Sequence, residues 1–333
     1  MQEPIKVIDT TPVFIPMEEE VKTLVAQRIK DFDATYRKYK DVLRDHRSSY
    51  VSPALTAEQV YEKILIERSK GITHLSTGVY WFDRFAGPLR RGNTYVLCGY
   101  PGVGKTTLAL ILAWNMAKSG IKVWYYCLEL SAREVFEVLA GHILGKANIT
   151  EEDETMAYAM IQGTGFRFYE PAGYLSADQK IDELMDVTRK EDIQCIFIDN
   201  LGFMTRSMKN TFEVEGVVSA RLKSLSQELE IPIVILHHLR KPESDQLEPE
   251  PNPHAIKGSG AILADASDAF ILHHPLLGEG ETTRDQVGFL LSGKPRWGAG
   301  GKTFVRLIGH KRLYEPAMSV EYVQKRKGRK VFE

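Results

Sequence analysis

The sequence predicts an α/β protein with a mainly parallel sheet flanked by helices and with antiparallel strands at one edge. Four nearly continuous apolar runs, typical of strands buried on both faces, lie within residues 94–238 and alternate with helical segments. After residue 268 the pattern becomes rich in strands. The first observation predicts the parallel sheet and the second its antiparallel extension.

The predicted elements follow one another in a regular order. The strand "TYVLCGY" leads to the helix after Lys105, and "KVWYYCL" leads to the helix "SAREVFEVLAGHIL". "QCIFID" is followed, after a loop, by the helix "EVEGVVSARLKSLSQELE" and the strand "PIVILHH". The edge strands are "DAFILHH", "QVGFLLSG" and "KTFVRLI".

The chain divides into four segments by composition. We predict a charged helical segment at 1–50, a linker and linker helix at 51–71, the main domain at 72–318 and a basic tail at 319–333. The first helix either packs on its own domain or serves a partner or neighbouring subunit. The tail either touches nucleic acid or is simply solvated. Thr56 and Gln59 form a capping-box pattern at the start of the linker helix.

Charge and composition bound the function. The formal net charge of -1 does not by itself indicate a nucleic-acid partner, so any basic surface is local. Cys98, Cys127 and Cys195 form neither a metal cluster nor a disulfide framework, which favours a reducing interior. No apolar run is long enough to span a membrane and the first residues do not resemble a signal peptide. We expect a soluble, cytoplasmic protein without a membrane partner.

The stretch "GYPGVGKTT" matches the phosphate-binding pattern G-x-x-x-x-G-K-[ST]. Its glycines let backbone N–H groups surround phosphate oxygens at the start of the following helix. Lys105 is expected to reach the terminal phosphates, and the Thr106 hydroxyl to ligate Mg²⁺. The predicted nucleotide-binding residues are Gly99, Tyr100, Pro101, Gly102, Val103, Gly104, Lys105, Thr106 and Thr107.

Two acids complete the expected hydrolytic site. Asp199 follows four apolar residues in "QCIFIDN", the position of an acid that holds the Mg²⁺ shell, although such an Asp also caps ordinary turns. Glu129 follows another buried strand, a position where an unpaired charge is costly unless it has a function. His237 and His238 also end a strand, and one of them is either a γ-phosphate sensor or an ordinary turn histidine.

Taken together, these motifs resemble the RecA-fold motor domain of DnaB-type replicative helicases, to which Twinkle and the phage primase-helicases are related. The resemblance covers about residues 56–316 and includes "LELS", "IFIDNLGFM", "LHHLRK", "KGSGAILADASDAFIL" and "SGKPRWGAGG". It implies a hexameric ring that hydrolyses ATP, or another NTP, while moving along single-stranded DNA. A bacterial or phage-infected cell is then the expected setting.

The resemblance also implies roles for individual residues. Glu129 becomes the catalytic base, Asp199 the acid of the Mg²⁺ shell, and His238 the residue at the sensor position. Lys294 and Arg296 would reach the nucleotide of the neighbouring subunit. The DNA-binding residues it implies are Lys257, Gly258, Gly260 and Arg206.

The sequence departs from the usual pattern of this family, and two of the departures concern the site and the assembly. Proline separates Lys294 from Arg296, and the usual globular N-terminal domain is replaced by the charged helix, through which a loader or primase contact is expected. The alternative function is a RecA-type ATPase that does not unwind DNA, either a recombination mediator or a regulatory ring ATPase.

Overall fold

The computed structural model describes residues 55–69, 74–171, 175–205, 211–239, 251, 259–274, 286–295 and 298–318. The predicted N-terminal helix and basic tail lie outside these ranges, as do Arg206, Lys257, Gly258 and Arg296. The chain divides into two compact units, residues 1–73 and residues 74–333.

In the first unit, the structure describes helix α1, Ala57–Ser69. The backbone N–H of Gln59 donates to Oγ1 of Thr56 at 3.2 Å, and the backbone N–H of Thr56 donates to Oε1 of Gln59 at 2.9 Å. This reciprocal pair is the predicted capping box, which is confirmed.

The second unit is built on a sheet of nine strands. Their order is β11-β10-β9-β8-β3-β7-β6-β4-β5. The strands are β3 (Thr94–Gly99), β4 (Val123–Cys127), β5 (Phe166–Tyr169), β6 (Cys195–Asp199), β7 (Ile233–His238), β8 (Asp268–His273), β9 (Gln286–Ser292), β10 (Lys302–Ile308) and β11 (Leu313–Pro316). A separate antiparallel pair joins β1 (His74–Leu75) to β2 (Leu89–Arg90).

The sheet is parallel from β8 to β5 and antiparallel from β8 to β11. The predicted fold class is therefore confirmed. Strand β8 belongs to both parts, because it pairs parallel with β3 and antiparallel with β9. Strands β5 and β11 and the small β1–β2 sheet were not predicted.

Helices cover both faces of this sheet. They are α2 (Tyr80–Ala86), α3 (Lys105–Lys118), α4 (Ala132–Leu144), α5 (Glu151–Ile161), α6 (Ala177–Glu191), α7 (Leu201–Thr205), α8 (Thr211–Leu229) and α9 (Ser259–Asp265). One core lies between the sheet and α2, α3 and α4, and the other between the sheet and α6, α8 and α9.

Successive residues of each central strand enter opposite cores, as the two-residue period of a strand requires. In β7, Val234 and Leu236 face α3, whereas Ile233 and Ile235 face α8. Every residue of β3, β4, β6 and β8 is buried. Burial on both faces explains why these strands read as continuous apolar runs. Among the described residues, no helix has the length and hydrophobicity needed to cross a membrane.

Candidate active site

The phosphate-binding motif forms the turn between β3 and α3, at the carboxyl edge of the parallel strands. Two of its glycines are required by geometry. A Cβ on Gly99 would lie 2.6 Å from Cγ1 of Val103 and 2.7 Å from the carbonyl oxygen of Leu272. Gly104 has a φ of +94° and faces the hydroxyl of Tyr314, where a Cβ would collide. The backbone therefore turns tightly before α3 and leaves its N-terminus facing the edge of the sheet.

Lys105 is buried at the start of α3 and is held by hydrogen bonds to the phosphate loop. Its Nζ donates to the carbonyl oxygens of Gly99 at 3.1 Å and Tyr100 at 3.0 Å. The same nitrogen lies 3.2 Å from Nδ1 of His238. Burial lowers the pKa of Lys105, while the negative charges of Glu129 and Asp199 act in the opposite direction. The lysine is thus already directed into the loop that would receive phosphate.

Asp199 ends β6 beside Thr106. The hydroxyls of Thr106 and Tyr125 both donate to Oδ2 of Asp199, at 2.7 Å and 2.8 Å. Oδ1 is buried and has no hydrogen-bond partner among the described residues. Burial raises the pKa of Asp199, and the two hydroxyl donors oppose that rise.

These residues fit Mg²⁺. A hydroxyl and a carboxylate with one unused buried oxygen are hard oxygen donors, and Mg²⁺ is commonly held by one or two protein oxygens together with substrate phosphates. The described residues contain no group of three or more His, Cys, Asp or Glu side chains suited to a metal. The three cysteines are free, buried thiols.

Glu129 lies two residues beyond β4, against the end of β6. The backbone N–H groups of Leu128 and Glu129 both donate to the carbonyl oxygen of Asp199, each at 2.9 Å. The side-chain amide of Asn200 donates to Oε2 of Glu129. His238 has the largest effect on the pKa of Glu129 and lowers it, and its Nε2 lies 3.6 Å from Oε2. Glu129 is thereby kept ionised, as a general base must be.

The two adjacent histidines of β7 face opposite sides of the sheet. His238 faces α3, where its ring contacts Lys105 through Nδ1 and lies 3.0 Å from the Asn200 amide nitrogen through Nε2. His237 is buried on the other face, and its Nε2 lies 3.8 Å from Oε2 of Glu215. Of the two, only His238 has the location that a phosphate sensor needs.

Other predicted residues lie elsewhere. Nζ of Lys294 donates to the carbonyl oxygens of Leu263, Ala264 and Ala266, at 2.9, 3.1 and 3.1 Å, so within this chain it caps the end of α9. Gly260 is exposed and lies in the first turn of α9 rather than in a loop.

Three residues of the site were missed by sequence reasoning: Tyr125, Asn200 and Tyr314. Asn200 directly follows Asp199, so its position in the site could have been predicted from the motif. The Tyr125 and Tyr314 hydroxyls carry no such signal. Tyr314 lies more than 200 residues after the phosphate loop, yet its hydroxyl donates to the carbonyl oxygen of Val103 at 3.1 Å.

The parallel sheet, the phosphate loop at its carboxyl edge and the two acids on neighbouring strands define a RecA-like P-loop NTPase. Within that class, the sequence pattern of the DnaB-like helicase C terminal domain matches residues 74–315. The chain belongs to this family.

Individual proteins of known function or structure are also similar to this chain. The chain is 26% identical over 306 residues to the replicative DNA helicase DnaC of Bacillus subtilis, covering 87% of this chain and 66% of that protein. It therefore spans slightly less than two thirds of that relative. Among solved structures, that of an ATPase domain superposes with a TM-score of 0.67 at 18% identity, covering 80% of this chain and 100% of that one.

A second solved structure, of a DnaB-like replicative helicase and its interactions with primase, superposes with a TM-score of 0.65 at 18% identity. The match covers 90% of this chain and 77% of that one. At this identity the two superpositions confirm the fold of the chain.

Proposed function

We propose that this chain is the motor of a replicative DNA helicase. It hydrolyses ATP, or another NTP, with Mg²⁺, and uses the energy to move along single-stranded DNA as a hexameric ring and to unwind duplex. One observation carries the hydrolytic part: Lys105, His238, Asn200 and Glu129 form a continuous network of contacts at the mouth of the phosphate loop. Family membership supports the DNA part.

The residues have complementary roles in hydrolysis. The N-terminus of α3 and Lys105 bind the phosphates, and Thr106 with Asp199 would hold Mg²⁺, which neutralises charge on the phosphate oxygens when bound. Glu129 lies beyond the phosphate loop as an ionised carboxylate and takes the proton of the attacking water. Asn200 and His238 both lie against the carboxylate of Glu129, and His238 also contacts Lys105. The base and the phosphate-binding lysine therefore share His238 as a neighbour.

The neighbouring subunit is proposed to complete this site. Because Lys294 caps α9 within its own chain, we assign the trans-acting role chiefly to Arg296, with Lys294 fixing the chain two residues before it. Arg206, Lys257, Gly258 and Gly260 are proposed to face DNA phosphates in the channel. A loader or primase is proposed to contact the N-terminal segment, in the cytoplasm of a bacterium or phage-infected cell.

Unwinding of a forked duplex tests this function. We expect the protein to release the labelled strand only with hydrolysable nucleotide, and to form a particle of six subunits with a non-hydrolysable analogue. The Lys105→Ala variant, which lacks the main phosphate cation, is the inactive control. DNA-stimulated hydrolysis without strand release on any fork would instead support the ATPase that does not unwind DNA.

A further inference from the structure

The second histidine of β7, His237, has no role in the network around the phosphate loop. It is almost completely buried, as is its neighbour Glu215 in α8, and the two side chains approach to 3.8 Å between Nε2 and Oε2. Burying a carboxylate and an imidazole in a sheet–helix core is costly. Replacing a buried ionisable pair by apolar residues is often neutral or stabilising, so a role beyond stability is worth seeking for this pair.

Glu215 lies where several elements of the motor meet. A Cβ on Gly202, in α7, would lie 3.8 Å from Oε1 of Glu215 and 3.2 Å from Oδ1 of Asn200. The carboxylate of Glu215 therefore lies close to the start of α7. This helix begins directly after Asn200, the residue whose side-chain amide donates to Glu129. Gly216, the next residue of α8, faces α9, since a Cβ there would lie 3.0 Å from the Cβ of Ala261.

Each of these elements adjoins a segment to which the proposed function assigns DNA. Helices α7 and α8 flank residues 206–210, which include Arg206, and α9 follows residues 252–258, which include Lys257. Strand β7 carries His237 on the α8 side and His238 on the nucleotide side, one residue apart. The Glu215–His237 contact thus joins the helix between the DNA segments to the strand that holds the phosphate sensor.

We propose that Glu215 and His237 are positioning residues that couple DNA binding to the nucleotide site. A shift of α8 or α9 on DNA would move His237 through Glu215, and His238 and Asn200 would move with it against Lys105 and Glu129. This inference rests on the proposed function. It adds the residues through which the two sites act on each other.

The test measures coupling directly. The dissociation constant of a fluorescent oligothymidine is determined with and without a non-hydrolysable ATP analogue, and that of the analogue with and without oligothymidine. The two ratios must agree because coupling between binding sites is reciprocal, and a factor of about 5–150 is typical. For the wild type we expect a ratio in this range.

The main variant is the double change Glu215→Leu with His237→Leu. An apolar pair often replaces a buried ion pair without loss of stability. We expect each ligand alone to bind within about threefold of wild type and the coupling ratio to fall below about two. Glu215→Gln, which keeps the shape and a hydrogen-bonding group, should retain most of the coupling even if the double variant fails to fold.

Ser226→Ala is the matched control. Ser226 lies on the same helix, is fully buried and donates to the carbonyl oxygen of Ile231 at 2.7 Å, but lies three turns from Glu215. It should lower the melting temperature and leave the coupling ratio unchanged. A double-Leu variant with wild-type coupling would overturn the inference, as would a Glu215→Ala variant that lowers the melting temperature but keeps full coupling. Absence of DNA binding by the wild type would overturn the proposed function as well.

Discussion

The hydroxyl of Tyr125, in β4, donates a hydrogen bond over 2.8 Å to Oδ2 of Asp199, at the end of the neighbouring strand β6. The same oxygen accepts from Thr106, so Asp199 is fixed by two donors and keeps Oδ1 for another partner. Tyr125 is therefore a positioning residue for the acid that would hold Mg²⁺.

Tyr125→Phe should weaken Mg²⁺ binding without blocking the site. A hydrogen bond to a charged group contributes about 1.5–3 kcal/mol, so the Mg²⁺ concentration for half-maximal binding of a fluorescent ATP analogue should rise at least about tenfold. Tyr126→Phe is the control, because Tyr126 is equally buried but faces the opposite core. An unchanged Mg²⁺ titration for Tyr125→Phe would remove Tyr125 from the site.

Gly104→Ala should abolish tight nucleotide binding while the sheet stays folded. The new Cβ would collide with the Tyr314 hydroxyl, and the alanine would have to adopt a φ of +94°. Gly163→Ala provides the matched control, since Gly163 has a φ of +82° with nothing within 4 Å of its Cβ position. Both substitutions cost roughly 1–2 kcal/mol of backbone strain, but only the first alters the phosphate loop. Equal nucleotide affinity in the two variants would contradict the role of this turn.

Lys257→Ala should reduce single-stranded DNA affinity by a similar factor for all sequences, because a phosphate contact carries no base information. The slope of log affinity against log salt should fall by about 0.7 for one lost contact to a single strand. Lys118→Ala, which removes an exposed cation at the end of α3, should leave that slope unchanged. If both variants behave alike, the "KGSGA" segment does not contact DNA.

Arg296→Ala should bind nucleotide but lose turnover by roughly 10³–10⁵, the range for an arginine that acts on a neighbouring subunit. Mixing it with Lys105→Ala subunits tests the role in trans. Some interfaces then pair an intact phosphate loop with an intact Arg296, so part of the ATPase activity should return. Mixed rings that form but recover nothing would show that Arg296 acts within its own chain or not at all.

Local sequence predicted the fold and most of the site, and physical reasons explain the remainder. Strands β3, β4 and β6 could be predicted because burial on both faces leaves nearly continuous runs of apolar residues in them. Lys105, Thr106 and Asp199 stand in short motifs at the ends of such strands. Strand β5 was missed because it has only four residues, of which one is buried, and lies at the edge of the sheet.

Contacts between distant parts of the chain could not be predicted from the sequence. The bond from Tyr314 to the phosphate loop depends on how β11 joins the antiparallel edge. The cap that Lys294 forms on α9 depends on the packing of β9 beside β8. His237 and His238 lie on opposite faces of the sheet because side chains alternate along a strand. The partner of each histidine becomes visible only in the folded sheet.

The rate of ATP hydrolysis with and without single-stranded DNA, in wild type and in Glu129→Gln, measures whether Glu129 is the base of an ATPase that DNA stimulates. We predict turnover that DNA stimulates in the wild type, and a loss of at least about a hundredfold in Glu129→Gln with nucleotide binding retained. Glu134→Gln, which changes a carboxylate of the exposed capping box of α4, should hydrolyse normally. Hydrolysis by Glu129→Gln at the wild-type rate would show that Glu129 is not the base, and a wild-type rate that DNA leaves unchanged would show that hydrolysis is not coupled to DNA.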